Sequence, residues 1–146
     1  MVLENMVAAE TVELDISDVD KWTVIERLVD LIVESRKSAD REAILAAVID
    51  REGQGSTGLE NGIALPHART DGIDDFVCAI GISRSGIDFD SADGKPCHII
   101  FLVVGPRQES TRYLNALSTI AYIGNNKDKV SELISASSPE EVISIL

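Results

Sequence analysis

Aromatic side chains make up only 4% of this 146-residue chain, so Ile, Val, Leu and Ala must fill its interior. Cysteine is nearly absent. Cys78 and Cys97 form no Cys-x-x-Cys pair and both sit in apolar stretches, which excludes a disulfide framework and fits small buried hydrophobes. Basic residues are few, 13 against 25 acidic ones, for a net charge of −12. Such a surface repels phosphate backbones and anionic headgroups, which argues against nucleic-acid or membrane-surface binding, and it favours a basic protein partner. No apolar run approaches the ~18 residues of a membrane-spanning helix. Met1 to Glu13 carries three acidic residues and no basic one, the wrong pattern for a signal peptide. A cytoplasmic location is expected. No repeat, low-complexity tract or Pro/Gly linker divides the sequence, so one domain over 1–146 is expected, with 1–9 weakly anchored.

What is present is a succession of strand and helix patterns. Val12, Leu14 and Ile16 alternate with polar residues as a short first strand. Trp22, Ile25, Leu28, Val29, Ile32 and Val33 recur at helical spacing behind Asp20, a suitable N-cap. A second helix starts at Ser38 or Asp40, carries Ala43, Ile44, Ala47 and Val48, and ends at Gly53 and Gly55. Arg51 therefore falls in its last turn. Gly62 to Leu65 reads as a short strand stopped by Pro66, Phe76 to Ser83 as a strand covered on both faces, and Gly86 to Phe89 as a brief extended piece. Asp93-Gly94 signals a turn, and His98 to Val104 is the best central strand. Ser110 or Thr111 opens a helix bearing Leu114, Leu117, Ile120 and Ala121, closed by Gly124-Asn125-Asn126. Helices follow from Lys127 to Ser135 and after Ser138, whose Ser-Pro-Glu-Glu start is a capping box. The predicted fold is α/β, a single layered domain with a mixed central sheet flanked by helices. The sheet is expected to be mixed because the link between Phe76–Ser83 and Gly86–Phe89 is too short for a parallel crossover.

The stretch Arg51 to His67 carries the chemistry. Pro66 fixes its own φ and biases Leu65 towards an extended conformation, so His67 is delivered at a strand terminus, where α/β sheets usually bind ligands. An imidazole with an ordinary pKa of about 6.5 is often an uncharged nucleophile near neutral pH. Gly53-Gln-Gly-Ser-Thr-Gly58 is a donor-rich loop resembling a phosphate cradle, although no Gly-Lys-Ser/Thr follows to make it a Walker A loop. Taken singly, these features have ordinary readings: a packed histidine, a flexible connection, a helix C-terminal arginine. Together they are a nucleophile, a bidentate cation and hydrogen-bond donors, which is what phosphoryl transfer asks of a protein.

Gly-Ser-Thr-Gly-x-x-Asn-Gly-Ile-Ala-x-Pro-His, from Gly55 to His67 and preceded by Arg51-Glu52, closely resembles the active-site signature of the fructose/mannitol/nitrogen-type enzyme IIA of the phosphoenolpyruvate-dependent phosphotransferase system. The resemblance implies a mannitol/fructose enzyme IIA-like fold. It implies that His67 accepts a phosphoryl group, through Nε2, from the phosphohistidine carrier protein HPr or a relative. The group then passes to the IIB or IIC component of a sugar permease, or serves as a signal to a regulated protein. Arg51 would stabilise the phosphorylated state, with Ser56, Thr57 and Asn61 shaping the site. No metal, nucleotide or other cofactor is implied, and no membrane insertion.

One position departs from the family pattern. Members often carry a second histidine in a His-Leu-x-x-Leu motif, and the matching stretch here is Tyr113-Leu-Asn-Ala-Leu117. A tyrosine hydroxyl can bond a phosphoryl oxygen but carries no positive charge near pH 7. Weaker stabilisation of phosphohistidine, or altered transfer to a permease, is the expectation. Three functions are open to these residues: a sugar-uptake enzyme IIA, a nitrogen-type regulatory module using the same His67 chemistry, and a metal-dependent hydrolase using His67 and His98, with Cys97 completing a candidate zinc set. The last matches no familiar ligand spacing. The absence of an attached permease domain tilts towards regulation or a separate subunit, and the shared motif leaves the first two open.

Overall fold

Apolar side chains on both sides of one strand build the centre of the molecule. The structure, a computed structural model, describes residues 3–17, 19–108 and 111–146. In strand β5 (Cys97–Gly105), Ile99, Phe101 and Val103 enter one core, while Ile100, Leu102 and Val104 enter another on the opposite face. A strand of this composition has to be covered on both faces. Its neighbour β4 (Val77–Ile87) runs antiparallel to it, with Cys78, Ile80 and Ile82 facing one core and Val77 and Ala79 the other. Strand β1 (Val12–Glu13) extends the sheet beyond β4 in parallel. Strands β2 (Ile63–Ala64) and β3 (His67–Arg69) follow one another along the far edge of β5, also in parallel.

The sheet is thus mixed, but for a different reason from the one expected. Phe76–Ser83 and Gly86–Phe89 are not two strands. They merge into β4, which runs on to Ile87 through an irregularity between Ile82 and Ile87, where Gly86 has φ +91°. The mixed character comes from the antiparallel β4–β5 pair.

Helices α1 (Lys21–Ser35) and α2 (Arg41–Gly53) cover one face, and α3 (Thr111–Gly124), α4 (Lys127–Ile134) and α5 (Pro139–Ile145) cover the other. Three of the starts predicted from a short polar side chain have that side chain on a free first-turn amide. Asp20 accepts from Thr23 N at 2.8 Å, Asp40 from Ala43 N at 3.2 Å, and Ser138 from Glu141 N at 3.1 Å. Glu141 reaches back one residue farther than a capping box requires, to Ser137 N at 3.1 Å and Ser137 Oγ at 2.8 Å. The α3 start falls at Thr111; the alternative, Ser110, lies outside the described residues.

Two predicted stripes are displaced. Trp22 is 40% exposed, with its ring 4.8 Å from the Lys21 ammonium, and Val24 takes the buried place. On α3, Tyr113, Ala116, Ile120 and Ile123 are buried, whereas Leu114 is 58% exposed. The segment expected to be weakly held contributes Leu3, Met6 and Val7 to a core, and Met6 O accepts from Cys78 N at 2.9 Å.

Register then sets up the site. His67 pairs with Val103 and Arg69 with Gly105, so β3 and β5 end side by side. A Cβ on Gly105 would come within 2.1 Å of Phe76 Cδ1. Glycine there lets the Phe76 ring lie across the strand end, where it supports Tyr113 at a centroid distance of 6.1 Å.

Candidate functional site

Pro66 interrupts the edge but does not end it. Strand pairing stops at Ala64 and restarts at His67, so His67 is the first residue of β3 rather than a residue beyond the sheet. The break redirects three backbone groups. Leu65 N donates to Thr57 O at 3.0 Å, and Pro66 O accepts from Val103 N at 3.1 Å. Leu65 O turns to the imidazole and lies 2.7 Å from His67 Nδ1. A carbonyl can only accept, so Nδ1 carries the proton and Nε2 holds the lone pair. Burial holds the His67 pKa below its ordinary value. The Leu65 hydrogen bond opposes this, Arg51 lowers it further, and Glu52 works the other way. The imidazole is therefore uncharged at neutral pH.

The ring borders an open cleft of about 630 Å³ lined by Asp50 and Arg51 of α2, Arg69 of β3, Arg107 after β5, and Tyr113, Leu114 and Leu117 of α3. His67 meets Tyr113 edge-on at 5.9 Å between centroids, and the Arg69 guanidinium lies 5.3 Å from the Tyr113 ring. Burial pushes the Tyr113 hydroxyl up to about 12, against the pull of Arg69 and Arg51. It stays a neutral donor throughout the working pH range. Arg51 sits in the last turn of α2, where its Nη1 donates to Gly55 O at 3.0 Å.

The residue after Arg51 faces the opposite way. Glu52 is 2% exposed. Its carboxylate accepts from Lys21 Nζ at 3.3 Å, from Thr57 N at 2.9 Å and from Thr57 Oγ1. Lys21 Nζ also lies 3.4 Å from Asp90 Oδ2. This buried buckle ties the start of α1, the end of α2 and the glycine-rich loop together, and so fixes where Arg51 begins.

Of the residues singled out by sequence, His67, Arg51 and Tyr113 come together. Ser56, Thr57 and Asn61 do not line the cleft. The Ser56 hydroxyl donates to Phe89 O, Thr57 is engaged by Glu52, and Asn61 is exposed with φ +68° in the turn before Gly62. Arg69 and Arg107 had not been singled out. The signal for Arg69 was its spacing, two residues from His67 along a strand, which puts both on one face; for Arg107 it was its place just past the central strand. His98 Nδ1 lies 2.9 Å from Ser83 O, and Cys97 Sγ lies 3.2 Å from Ser91 Oγ. Both sit at the opposite end of β5 from Val103, the partner of His67. Among the described residues no group of three or more His, Cys, Asp or Glu is placed to hold a metal. Cys78 is fully buried and its thiol pKa is pushed well up by burial, which keeps the thiolate nucleophile from forming.

An uncharged imidazole with a free Nε2 at a strand start, in a cleft lined by arginines, has the equipment to carry an anionic group, and comparison with known proteins narrows the class. Residues 5–146 match the family model for the phosphoenolpyruvate-dependent sugar phosphotransferase system, EIIA 2. The chain is 33% identical over 144 residues to the PTS system fructose-specific EIIA component of Haloferax volcanii, covering 99% of this chain and 94% of that protein. It is 32% identical over 146 residues to the PTS system fructose-specific EIIABC component of Bacillus subtilis, and spans all of this chain but only 23% of that relative's length. The crystal structure of the nitrogen regulatory protein IIA-Ntr from Neisseria meningitidis superposes with a TM-score of 0.91, at 30% identity and 99% coverage of both chains. This chain belongs to the type 2 enzyme IIA family of the phosphoenolpyruvate-dependent sugar phosphotransferase system, whose members are phosphotransferases.

Proposed function

We propose that His67 is the residue that carries the phosphoryl group, that HPr or an HPr-like protein supplies it, and that a IIB component of a fructose-type permease receives it. The observation carrying this reading is the hydrogen bond from His67 Nδ1 to Leu65 O at 2.7 Å, which leaves Nε2 as the nucleophile in an arginine-lined cleft. Nε2 attacks phosphorus as the bond from phosphorus to the donor imidazole breaks, with no change of oxidation state. The proton stays on Nδ1, donated in a hydrogen bond to the Leu65 carbonyl. The ring bearing the phosphoryl group is then a protonated imidazole, a good leaving group for the next transfer. Arg51 stabilises the equatorial oxygens by charge and hydrogen bonding. Such a relay operates in the cytoplasm, and no helix among the described residues is long and apolar enough to cross a membrane.

A second reading has its own support. The Neisseria structure with a TM-score of 0.91 is a nitrogen regulatory protein, so the phosphorylation state of His67 would control a protein partner instead of feeding a permease. The chemistry at His67 is the same in both.

The test is a phosphotransfer reaction with phosphoenolpyruvate, enzyme I and HPr, followed by intact-protein mass. The expected result is a gain of one phosphoryl group, absent in His67→Ala. A wild-type protein that gains nothing from a competent donor, or a mutant that still gains it, overturns the assignment. Passing the group to a fructose IIB domain then separates uptake from regulation.

A further inference from the structure

We propose that Arg69 and Arg107 are phosphoryl-binding residues of the His67 cleft, supplying with Arg51 the positive charge that Tyr113 cannot. This rests on the reading of His67 as the phosphoryl carrier.

Three observations support it. First, the chain carries a net charge of −12, and four of its arginines, Arg27, Arg41, Arg84 and Arg112, each meet a carboxylate. Among the described residues, Arg51, Arg69 and Arg107 pair with none, yet all three border one cleft. Uncompensated guanidiniums gathered in an acidic protein mark a place for an anion. Second, the placement is strict. Arg69 lies two positions from His67 on the same strand, its register partner is Gly105, and Arg107 follows that glycine by two residues. Both arginines thus stand at the shared carboxyl end of β3 and β5, beside the imidazole. Third, Arg69 is aimed by its contact with the Tyr113 ring, 5.3 Å away, which itself stands 5.9 Å from the His67 ring. Tyr113 acts here as an aromatic rest for a cation, a contact that suits the flat guanidinium. The one carboxylate in the lining, Asp50, accepts from Gln54 Nε2 at 3.2 Å.

The consequence is a site whose charge comes from guanidiniums rather than from a second imidazole. The loss anticipated from a tyrosine in place of a second histidine is offset by two arginines.

The experiment separates phosphoryl binding from partner docking by using a small donor, potassium phosphoramidate. Nε2 forms a bond to phosphorus as the phosphorus–nitrogen bond of the donor breaks, and ammonia leaves. Wild type, Arg69→Gln, Arg107→Gln, Arg69→Lys and Arg107→Lys are compared for labelling rate and for the half-life of the phosphorylated form. Arg36→Gln serves as a control for the change in net charge. Loss of a charge-assisted hydrogen bond predicts labelling slowed by about 10–100-fold in each Gln variant, a shortened half-life, intermediate Lys variants, an unaltered control and unchanged melting temperatures. Gln variants labelled at the wild-type rate overturn the proposal, and so does a defect seen only with phospho-HPr, which would make the arginines docking residues. Wild type labelled with unimpaired variants removes only the arginine assignment. Wild type labelled by neither donor removes the His67 reading as well.

Discussion

Arg51 and Glu52 are adjacent in sequence and opposite in circumstance. Glu52 is buried, and its charge is met by an ammonium, a backbone amide and a hydroxyl. Arg51 is half-buried at the rim of an open cleft and pairs with no carboxylate among the described residues; the protein partner it has is the Gly55 carbonyl. One charge is satisfied internally; the other, on the proposed reading, is left for a phosphoryl group. A buried ion pair is retained only if every group in it is bonded, so the buckle acts on the fold. An unsatisfied cation beside a nucleophile acts on the ligand.

The contrast can be broken from either side. Glu52→Gln leaves Lys21 buried with only the exposed Asp90 to answer it. Removing one member of a buried pair costs about 3–5 kcal/mol, and the second partner of Lys21 places the loss near the lower end. Thermal denaturation should show a melting temperature lower by about 6–12 °C. A fall no larger than that of a surface substitution would mean the buckle carries no structural weight. Arg51→Gln should do the reverse. Its melting temperature should stay close to wild type, because a charge at the solvent-facing rim of an open cleft with no ion pair contributes little to stability, while phosphohistidine formation slows by about 10–100-fold. Equal phosphorylation rates in wild type and Arg51→Gln would end its role at the site.

The smallest effect is the most discriminating. Tyr113→His places an imidazole among guanidiniums that disfavour its protonation. Transfer should match wild type near pH 7.5 and exceed it only as the pH falls below about 6, where the new ring gains charge. The acid limb of the profile belongs to His67, whose lowered pKa keeps Nε2 unprotonated at and somewhat below the pH where an ordinary histidine would take up its proton. A rate gain at neutral pH would show that the cleft lacks charge, against the role assigned to Arg69 and Arg107.

The same contrast explains what was readable in the sequence. Helix caps at Asp20, Asp40 and Ser138 were legible because a cap is satisfied within three residues of itself. Arg51 and His67 were legible because a helix end and a proline place them locally. The roles of Ser56 and Thr57 were not, since a hydroxyl bonds whatever the tertiary fold brings near, here Phe89 O and Glu52. Arg107 depended on the register between β3 and β5, separated by a long stretch of chain. The merging of two apparent strands into β4 was hidden for a related reason. Its irregularity keeps the strand paired past Ser83, and no local pattern reports pairing.

The break at Pro66 has a final consequence. On the reading proposed for His67, the atom that decides which of its ring nitrogens reacts is a main-chain oxygen, Leu65 O. No side-chain replacement at Leu65 removes it. Sequence change can therefore retune the charge around the nucleophile, through Tyr113, Arg69 or Arg107, while its regiochemistry is inherited with the backbone path itself.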